Sequence, residues 1–454
     1  MLLRLGRVLS STSVLAVLFG LTAAACLVSL RFSEDTPAST PRYLAAVGAA
    51  FACYFAALLL LRFKDVKLRA AWIFVVAVAI QIAPLRGTPL LDNDAYRYHW
   101  DGKLLAAGVN PYEYAPGDHA VASLRDEFWG PIGYKDVKTI YPPLTEMLLA
   151  LTYVVDRTPG RAMLLAVGFN LLCMLPLLLL LRTRGIDDKW LALYAWNPLI
   201  ASEFGAAGHL DAIAIFFLLS GLCAVQLKKE WGAGSLLALA VMGKTQMLLA
   251  APLVLWRSGW RGALAFVGVA GVMVAPFLAA GVGNIYSGHL TYLQYWEQNT
   301  GIFAVLKLFF GDAPARAMVV ALILGLAAYL TFRPGDVALH VGVLMAALLM
   351  VGPTFFPWYS SWALPFASLF PTVTAPVTTL LLLAPKLGFY GKDVLVAGRV
   401  GEFGLMYLCG VVEYVLWRRR VTPKLVASPA PRKIALQDSD AGLEAEADAR
   451  GMVA

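Results

Sequence analysis

The chain alternates long apolar runs with short polar or basic connections, a pattern that predicts a polytopic membrane protein. A spanning α-helix needs about 20 mostly apolar residues, so about 12–14 transmembrane helices in an all-α bundle are expected. The predicted spans are residues 10–30, 43–61, 70–86, 162–181, 190–206, 210–227, 262–280, 314–332, 337–353, 359–371, 373–386 and 397–417. We interpret the first of these as a retained anchor rather than a cleaved signal, because further spans follow it.

Residues 232–256 are apolar but too few to cross a membrane twice, and Gly243, Lys244 and Thr245 interrupt them. Basic clusters flank this segment on both sides. If every basic cluster of the chain is cytoplasmic, the segment must enter the membrane and return to the same side. We therefore predict a re-entrant or broken helix pair here, with Lys244 near its apex. Such a backbone is tolerated only where protein or water surrounds it.

The same orientation places both termini in the cytoplasm and residues 87–161 on the other side as one large outer loop. Residues 1–417 are predicted to form the membrane-embedded domain. Residues 418–454 are Pro/Ala-rich and then acidic, which predicts a disordered cytoplasmic tail.

Composition agrees with a membrane protein and excludes other classes. Hydrophobic residues make up 59% of the chain and charged residues 15%, and the mean hydropathy is +0.69. The net charge of +8 does not indicate nucleic-acid binding, because the basic residues stand in short clusters between apolar runs. The five cysteines lie in apolar stretches without CxxC spacing, so neither a zinc site nor a disulfide framework is predicted.

The outer loop begins with a run of polar residues that is a candidate for chemistry. Its section from Asp92 to Lys138 carries eight acids and five bases in an otherwise basic protein. A helix starting near Asp94 and ending before Gly108 would place Asp94, Arg97, Tyr98 and Asp101 on one face. This face could form one wall of a site, or Arg97 and Asp101 could simply be an i,i+4 pair on a solvated helix.

The run from Asn93 to Lys103, followed by residues 106–112, resembles the signature of bacterial polyprenol-phosphate-mannose-dependent mannosyltransferases. These enzymes belong to the GT-C superfamily of membrane glycosyltransferases. Later stretches similar to the family occur in the same order and extend to about residue 365. They are residues 141–144, 196–199, 208–212, 243–245, 356–359 and 362–365.

This resemblance implies a GT-C-like fold and transfer of a hexose, mannose in the family, from a polyprenyl-phosphate donor to an acceptor hydroxyl. It also implies an extracytoplasmic active site in a bacterial cytoplasmic membrane, with a glycan or glycolipid as acceptor. The family's catalytic Asp maps onto Asp94, which would act as the base of an inverting single displacement. The family commonly has two adjacent acids there, whereas this chain has Asn93 before Asp94.

The departing phosphate needs cations near it, because its negative charge grows as the glycosidic bond breaks. We predict Arg97, Lys244 and His209 as donor phosphate ligands. A charge at the mid-membrane is costly, so Lys244 is expected to have an anionic partner; otherwise it would extend to the interface. His209 could be oriented by Asp211, or the two could form only a helix cap.

The remaining candidates are polar or aromatic residues near the predicted outer interface. Trp358 and Tyr359 would stack on a sugar or simply belong to an aromatic belt. The predicted sugar- and acceptor-binding residues are Asp101, Asp211, Glu203, Tyr98, Trp358 and Tyr359. No metal is expected to be required, although Mg²⁺ or Mn²⁺ held by His209, Asp211 and Asp94 is conceivable.

Two other functions fit parts of the sequence. Broken helices with buried charges also occur in transporters, so a transporter or flippase of polyprenyl-linked glycans is the alternative. We find no internal repeat of the kind that transporters usually show, and a transporter does not need the acid-rich outer loop. A membrane acyltransferase is less well supported, because His99 and His119 do not form a reactive pair with an acid.

Overall fold

A computed structural model describes residues 10–63 and 66–421 of the chain, and within these ranges it is all-α. The only β pairing among these residues is an isolated bridge between Gln298 and Thr354. In chain order the α-helices are α1 (Ser11–Val28), α2 (Thr40–Leu61), α3 (Ala70–Ile82), α4 (Asp94–Ala106), α5 (Pro143–Val155), α6 (Gly160–Thr183), α7 (Ala192–Ala195), α8 (Pro198–Ser202), α9 (Ala212–Gln226), α10 (Glu230–Gly243), α11 (Ala251–Val274), α12 (Val282–Tyr295), α13 (Ile302–Phe310), α14 (Asp312–Phe332), α15 (Val337–Val351), α16 (Leu364–Leu369), α17 (Thr374–Leu381) and α18 (Lys392–Val421). The all-α prediction is confirmed.

Several of these helices have the length and composition of membrane spans. Five elements qualify, namely Ser11–Phe32, Pro37–Leu61, Gly160–Thr183, Thr245–Ala280 and Asp312–Phe332. Four shorter apolar helices accompany them, at Ala70–Ile82, Pro143–Val155, Ala212–Gln226 and Val337–Val351. The chain is therefore a polytopic membrane protein, but the described residues form fewer continuous spans than the 12–14 that we predicted.

Breaks within predicted spans explain part of this difference. The predicted span 190–206 consists of α7, α8 and a π-helix at Glu203–Ala207. Asn197 starts α8, since its side-chain oxygen accepts the N–H groups of Leu199 and Ile200. Likewise, the predicted span 359–371 divides into a 3₁₀ turn at Pro357–Trp362 and α16.

The predicted helix break at Lys244 is confirmed. Helix α10 ends at Gly243, Lys244 is extended (φ −154°, ψ 120°), and a 3₁₀ helix over Thr245–Ala250 leads into α11. Helix α11 has a non-helical residue at Gly259 (φ 65°), which lies between Arg257 and Arg261. The chain thus reaches an apex near Lys244, turns again at Gly259 and continues as the second half of α11.

Helix α4 lies against α5 through a close backbone approach. A Cβ on Gly102 would come 2.4 Å from the Leu149 carbonyl oxygen, so only glycine permits this packing. The helix ends as predicted, because Gly108 follows it in the left-handed region (φ 78°). This contact fixes the orientation of α4, and with it the direction of the face that carries Asp94 and Tyr98.

The chain forms one compact unit through Cys409, and a second unit begins at Gly410. Helix α18 continues to Val421, four residues into the segment that we predicted as a disordered tail. The rest of that prediction, residues 422–454, lies outside the described residues. So do Arg4, Arg7 and Lys64, which contributed to the predicted orientation.

Candidate active site

The loop before α4 has a strained conformation that places an aspartate beside the helix. Leu91 lies in the left-handed region (φ 56°), which is rare for a residue with a branched side chain. Two hydrogen bonds hold this backbone: the Leu90 N–H donates to the Ala206 carbonyl (2.9 Å), and the Leu91 N–H donates to Asp35 Oδ1 (2.7 Å). Asp92 follows, and its Oδ1 accepts the Asp94 N–H at 2.8 Å. Both carboxylates therefore lie at the start of α4.

A buried histidine from another part of the chain meets these carboxylates. His209 follows Gly208, whose φ of 93° ends the π-helix. The His209 side chain is 0% exposed, and its Nε2 lies 3.5 Å from Asp92 Oδ2 and 3.8 Å from Asp94 Oδ2. Nε2 makes no hydrogen bond within the described residues, so its contacts with the two acids are charge contacts at distances longer than an ordinary hydrogen bond.

The other ring nitrogen of His209, Nδ1, contacts Glu203. Nδ1 lies 3.2 Å from both the backbone oxygen and Oε2 of Glu203. Tyr43 OH donates to Glu203 Oε1 at 3.3 Å, and the Trp358 ring stacks on the imidazole with centroids 3.5 Å apart. His209 is thus oriented by Glu203, rather than by Asp211 as we had predicted.

Asp94 combines accessibility with an electrostatic environment suited to proton transfer. Its side chain is 40% exposed, and its Oδ2 lies 3.8 Å from His209 Nε2. Burial raises the pKa of Asp94, and the charge of Asp92 raises it further, to about 6, against the opposing charges of His209 and Lys244. Tyr98 OH donates to Asp94 Oδ2 at 3.4 Å. A carboxylate with a pKa near neutral is well matched to general-base catalysis.

Lys244 has the anionic partner that we predicted for it. Its Nζ lies 3.4 Å from Asp211 Oδ1, and the two side chains are 7% and 1% exposed. Trp362 Nε1 donates to the same oxygen at 2.7 Å. The ammonium also lies 5.0 Å from the Tyr141 ring centroid and 5.3 Å from that of Tyr359. This cation therefore sits in a pocket of aromatic rings.

The two tyrosines whose rings lie near Lys244 form hydrogen bonds with other tyrosines of the site. Tyr141 OH shares a 2.9 Å hydrogen bond with Tyr98 OH, and Tyr98 in turn reaches Asp94. On the other side Tyr359 OH shares a 2.7 Å hydrogen bond with Tyr292 OH. Tyr98 and Tyr359, predicted as sugar- or acceptor-binding residues, thus lie near the base and the cation; that role stays a prediction.

Arg97 and Asp101 form an i,i+4 pair, as in the simpler interpretation of their spacing, but the pair is largely buried and does not lie on a solvated helix. Arg97 Nε lies 2.9 Å from Asp101 Oδ1, and Nη1 donates to the Val137 carbonyl at 2.8 Å. Asp101 is 1% exposed. Only Nη2 of Arg97 is left without a hydrogen bond, so its assignment as a phosphate ligand, and that of Asp101 to sugar binding, stay predictions.

A cavity of about 580 Å³ opens beside Asp92. Its lining includes Asp35, Thr40, Asp92 and Lys386. Lys386 Nζ donates to the Leu91 carbonyl at 3.3 Å, next to the carboxylate of Asp92. The sequence did not single out Lys386, because it ends an apolar run that we predicted as a span. Its position directly after Pro385, which lies in the first turn of a 3₁₀ helix, was the available signal.

Asp92, Asp94 and His209 have the donors that a divalent cation requires. One ligand atom from each lies within 4.8 Å of the others. The unpartnered Nε2 and the Nδ1 contact with Glu203 fit a metal-binding histidine, whose second nitrogen is usually held by a carboxylate or carbonyl. This set differs from our predicted one, because Asp92 stands where we expected Asp211.

Comparison with known proteins assigns the chain to a family. A family model described as "Alpha-(1->6)-mannopyranosyltransferase, N-terminal domain" matches residues 9–259, more than half of the chain. The chain belongs to this MptA_B family. The match agrees with the resemblance to bacterial mannosyltransferases, and its range includes Asp94, His209 and Lys244, whereas Trp358 and Tyr359 lie beyond it.

One curated relative supports the same family. The chain is 26% identical over 337 residues to alpha-(1->6)-mannopyranosyltransferase A of Mycobacterium tuberculosis. This alignment covers 64% of the chain and 63% of the relative, so the chain spans somewhat less than two thirds of the relative's length. No solved structure matches the chain.

Proposed function

We propose that this MptA_B family protein is a membrane mannosyltransferase that transfers mannose from a polyprenyl-phosphate donor to a hydroxyl of a glycan or glycolipid. Its active site would face the non-cytoplasmic side of a bacterial cytoplasmic membrane. The observation that carries the proposal is the partly exposed Asp94 carboxylate at the entrance of a charged site, with a pKa of about 6. The name and family of the relative support mannose as the sugar.

Asp94 is the proposed base of a single inverting displacement. The acceptor oxygen attacks C1 of the mannosyl group while the bond from C1 to the phosphate oxygen breaks. The electron pair of that bond leaves with the polyprenyl phosphate, and the hydroxyl proton passes to Asp94. A base in this position needs to lie within hydrogen-bond reach of the hydroxyl, and the exposed side of Asp94 allows that approach.

The leaving phosphate is proposed to lie near Lys244 and His209. Lys244 is nearly enclosed by aromatic rings, so its charge acts through a low dielectric rather than through water. Although burial lowers the pKa of His209, Asp92 and Glu203 raise it to about 10, which makes the imidazole a second cation. Charge that develops on the phosphate is stabilised by cations already in place.

Lys386 is a further candidate for contact with the donor, because it lines the cavity beside Asp92. The cavity of about 580 Å³ falls within the range of small-molecule sites, roughly 300–1,000 Å³. We propose that it receives the polar part of the donor or acceptor.

Transfer is proposed to proceed without a required metal, because the His209 cation already lies between the two carboxylates. A divalent ion is the alternative, with Asp92, Asp94 and His209 as its ligands. Such an ion would supply positive charge to an oxygen of the phosphate or the acceptor.

The experiment that tests the function is transfer of labelled mannose from synthetic polyprenyl-phosphate mannose by the purified full chain in proteoliposomes. Several acceptors, including short mannosides and mannosylated lipids, would be offered. We expect transfer by the wild type and a loss of at least about 10²-fold in Asp94→Asn, the scale of general-base catalysis. The amide keeps the shape of the side chain, so donor binding should be retained.

Glu127→Gln is the matched control, since Glu127 is an exposed acid of the same outer loop. It should transfer mannose like the wild type. Full activity in Asp94→Asn would reject the base assignment. If no acceptor is mannosylated while labelled donor crosses the liposome membrane, the transporter alternative replaces the transferase.

A further inference from the structure

A second cavity, of about 320 Å³, lies between the end of α1, the loop after α3 and the start of α6. Three arginines line it, namely Arg31, Arg86 and Arg161. They come from three separate parts of the chain, so the fold brings three arginines to the lining of one cavity. Arg86 precedes Asp92 in the same loop, which puts this cavity at the end of the bundle that carries the candidate active site.

The position of these arginines is unusual for a membrane protein. In the predicted orientation, the loops at this end lie outside the cytoplasm, where basic residues are normally depleted. Two of the three have defined contacts: Arg86 Nη1 donates to the Leu30 carbonyl at 3.1 Å, and Arg161 Nε lies 2.8 Å from Asp156. The guanidinium groups of Arg86 and Arg161 are thus positioned by the protein.

The charge of the cavity lining is not balanced. Asp156 is the one carboxylate among the lining residues, against three arginines. Arg86 Nε is buried and makes no hydrogen bond within the described part of the chain. The N-terminus of the 24-residue helix α6, whose Gly160 and Arg161 also line the cavity, adds a partial positive charge. An anion with several acceptor oxygens would satisfy these groups.

The other lining residues indicate where that anion comes from. Leu85 and Leu164 border the cavity, and Leu164 is exposed on α6, a candidate membrane span. The cavity therefore has a basic side and an apolar side, and the apolar side lies next to the exposed surface of a candidate membrane span. Its volume is at the low end of small-molecule sites, which suits a headgroup better than a whole lipid.

We propose that this cavity binds the phosphate group of an anionic membrane lipid, at a site separate from the one that holds Asp94. Arg31, Arg86 and Arg161 would contact the phosphate oxygens, and the acyl chains would lie along the apolar side by Leu164. Arginine is suited to this task because its planar fork bonds two oxygens at once.

The experiment is native mass spectrometry of the detergent-purified full chain titrated with dioleoyl phosphatidylglycerol. Arg86→Gln and Arg161→Gln should each weaken binding about fivefold, the effect expected for one basic residue at an anionic lipid surface. Arg157→Gln is the control, because Arg157 is exposed in the loop just before α6 but does not line the cavity. It should bind like the wild type.

Two further measurements complete the test. Arg31→Gln changes an exposed side chain, so it provides a lining variant if Arg86→Gln does not fold, and Arg86→Lys should recover part of the affinity. Displacement of the lipid by inorganic phosphate would identify phosphate alone as sufficient, whereas lack of displacement would show that the lipid is required. Wild-type affinity in all lining variants, or equal weakening by Arg157→Gln, would overturn the proposal.

Discussion

The carboxylate Oδ2 of Asp94 lies 3.8 Å from Nε2 of His209, although the two residues belong to distant parts of the chain. The first begins α4, and the second follows a π-helix that ends at Gly208. Their separation is too long for a hydrogen bond and short enough for a strong electrostatic effect. A substrate hydroxyl that approaches Asp94 therefore has no hydrogen bond between Asp94 and His209 to break.

The environment of Asp94 predicts a pH dependence of the proposed mannose transfer. A base must be deprotonated to accept the hydroxyl proton, so turnover should rise with pH through about 6, the pKa of Asp94. The charges of His209 and Lys244 oppose this shift, as does the hydrogen bond from Tyr98. The measurement is kcat/KM for the donor between pH 4.5 and 8 in proteoliposomes.

Asp92→Asn tests whether the charge of Asp92 sets the pH at which activity rises. The charge of Asp92 raises the pKa of Asp94, so its removal should move the rise in activity to lower pH. The asparagine oxygen can still accept the Asp94 N–H, and Glu203 still holds His209. If kcat/KM of Asp92→Asn rises at the same pH as that of the wild type, another group controls the pH profile.

Much of the local structure around the site follows from the sequence. The polar run after the third apolar segment predicted α4 with Asp94 at its start, and Gly108 predicted its end. The break at Lys244 and its anionic partner could also be predicted, because an unpaired charge within a membrane is costly. These features could be predicted because each depends on residues close in sequence or on one large free-energy cost, that of burying an unpaired charge in the membrane.

The long-range pairings could not be predicted in the same way. Pairing of His209 with Asp92 and Glu203 depends on how the broken segment α7–α8 and the π-helix pack, and no short-range pattern encodes that packing. Lys386 was missed for a related reason. The apolar residues before it resemble a continuous span in the sequence, whereas the structure divides that stretch into α17 and a 3₁₀ helix with Pro385 in its first turn.

Metal removal should leave transfer unchanged. The His209 cation lies between Asp92 and Asp94, so the positive charge that a divalent ion would contribute is already present. The measurement is turnover after dialysis against EDTA, with and without added Mg²⁺ or Mn²⁺. If EDTA abolishes transfer and Mn²⁺ restores it, the three residues are metal ligands and the proposed metal-free mechanism is wrong.

Gly208→Ala should impair the site without touching a charged group. Gly208 has φ 93°, and a left-handed conformation costs about 1–2 kcal/mol for a residue with a Cβ. The added Cβ would also lie 3.0 Å from Met163 Cγ and 3.3 Å from Ala95 Cβ. Displacement of His209 should lower kcat as well as thermal stability.

Gly168→Ala is the control for that variant. Gly168 lies within α6 with no atom within 4 Å of an added Cβ, so alanine should be neutral or slightly stabilising there. Both variants would be compared by apparent Tm in detergent and by mannose transfer. Equal behaviour of the two variants would contradict a special role for the Gly208 conformation.

The buried pair of Lys244 and Asp211 should show strong coupling in stability. Lys244→Met leaves the Asp211 carboxylate with the Trp362 N–H as a remaining partner, and removal of one member of a buried pair costs about 3–5 kcal/mol. Asp211→Asn can keep the Trp362 hydrogen bond but leaves the ammonium uncompensated. Each single variant should therefore lower the apparent Tm of the purified protein, followed by tryptophan fluorescence.

The double variant separates structure from chemistry. With both charges removed, Lys244→Met/Asp211→Asn should recover most of the lost thermal stability, because no uncompensated charge stays buried. Mannose transfer should not recover, since the proposed phosphate ligand Lys244 is absent. Recovery of both stability and turnover would mean that the Lys244 charge serves only the fold. Recovery of stability alone would support its contact with the leaving phosphate, because the two properties then respond differently to the same loss of charge.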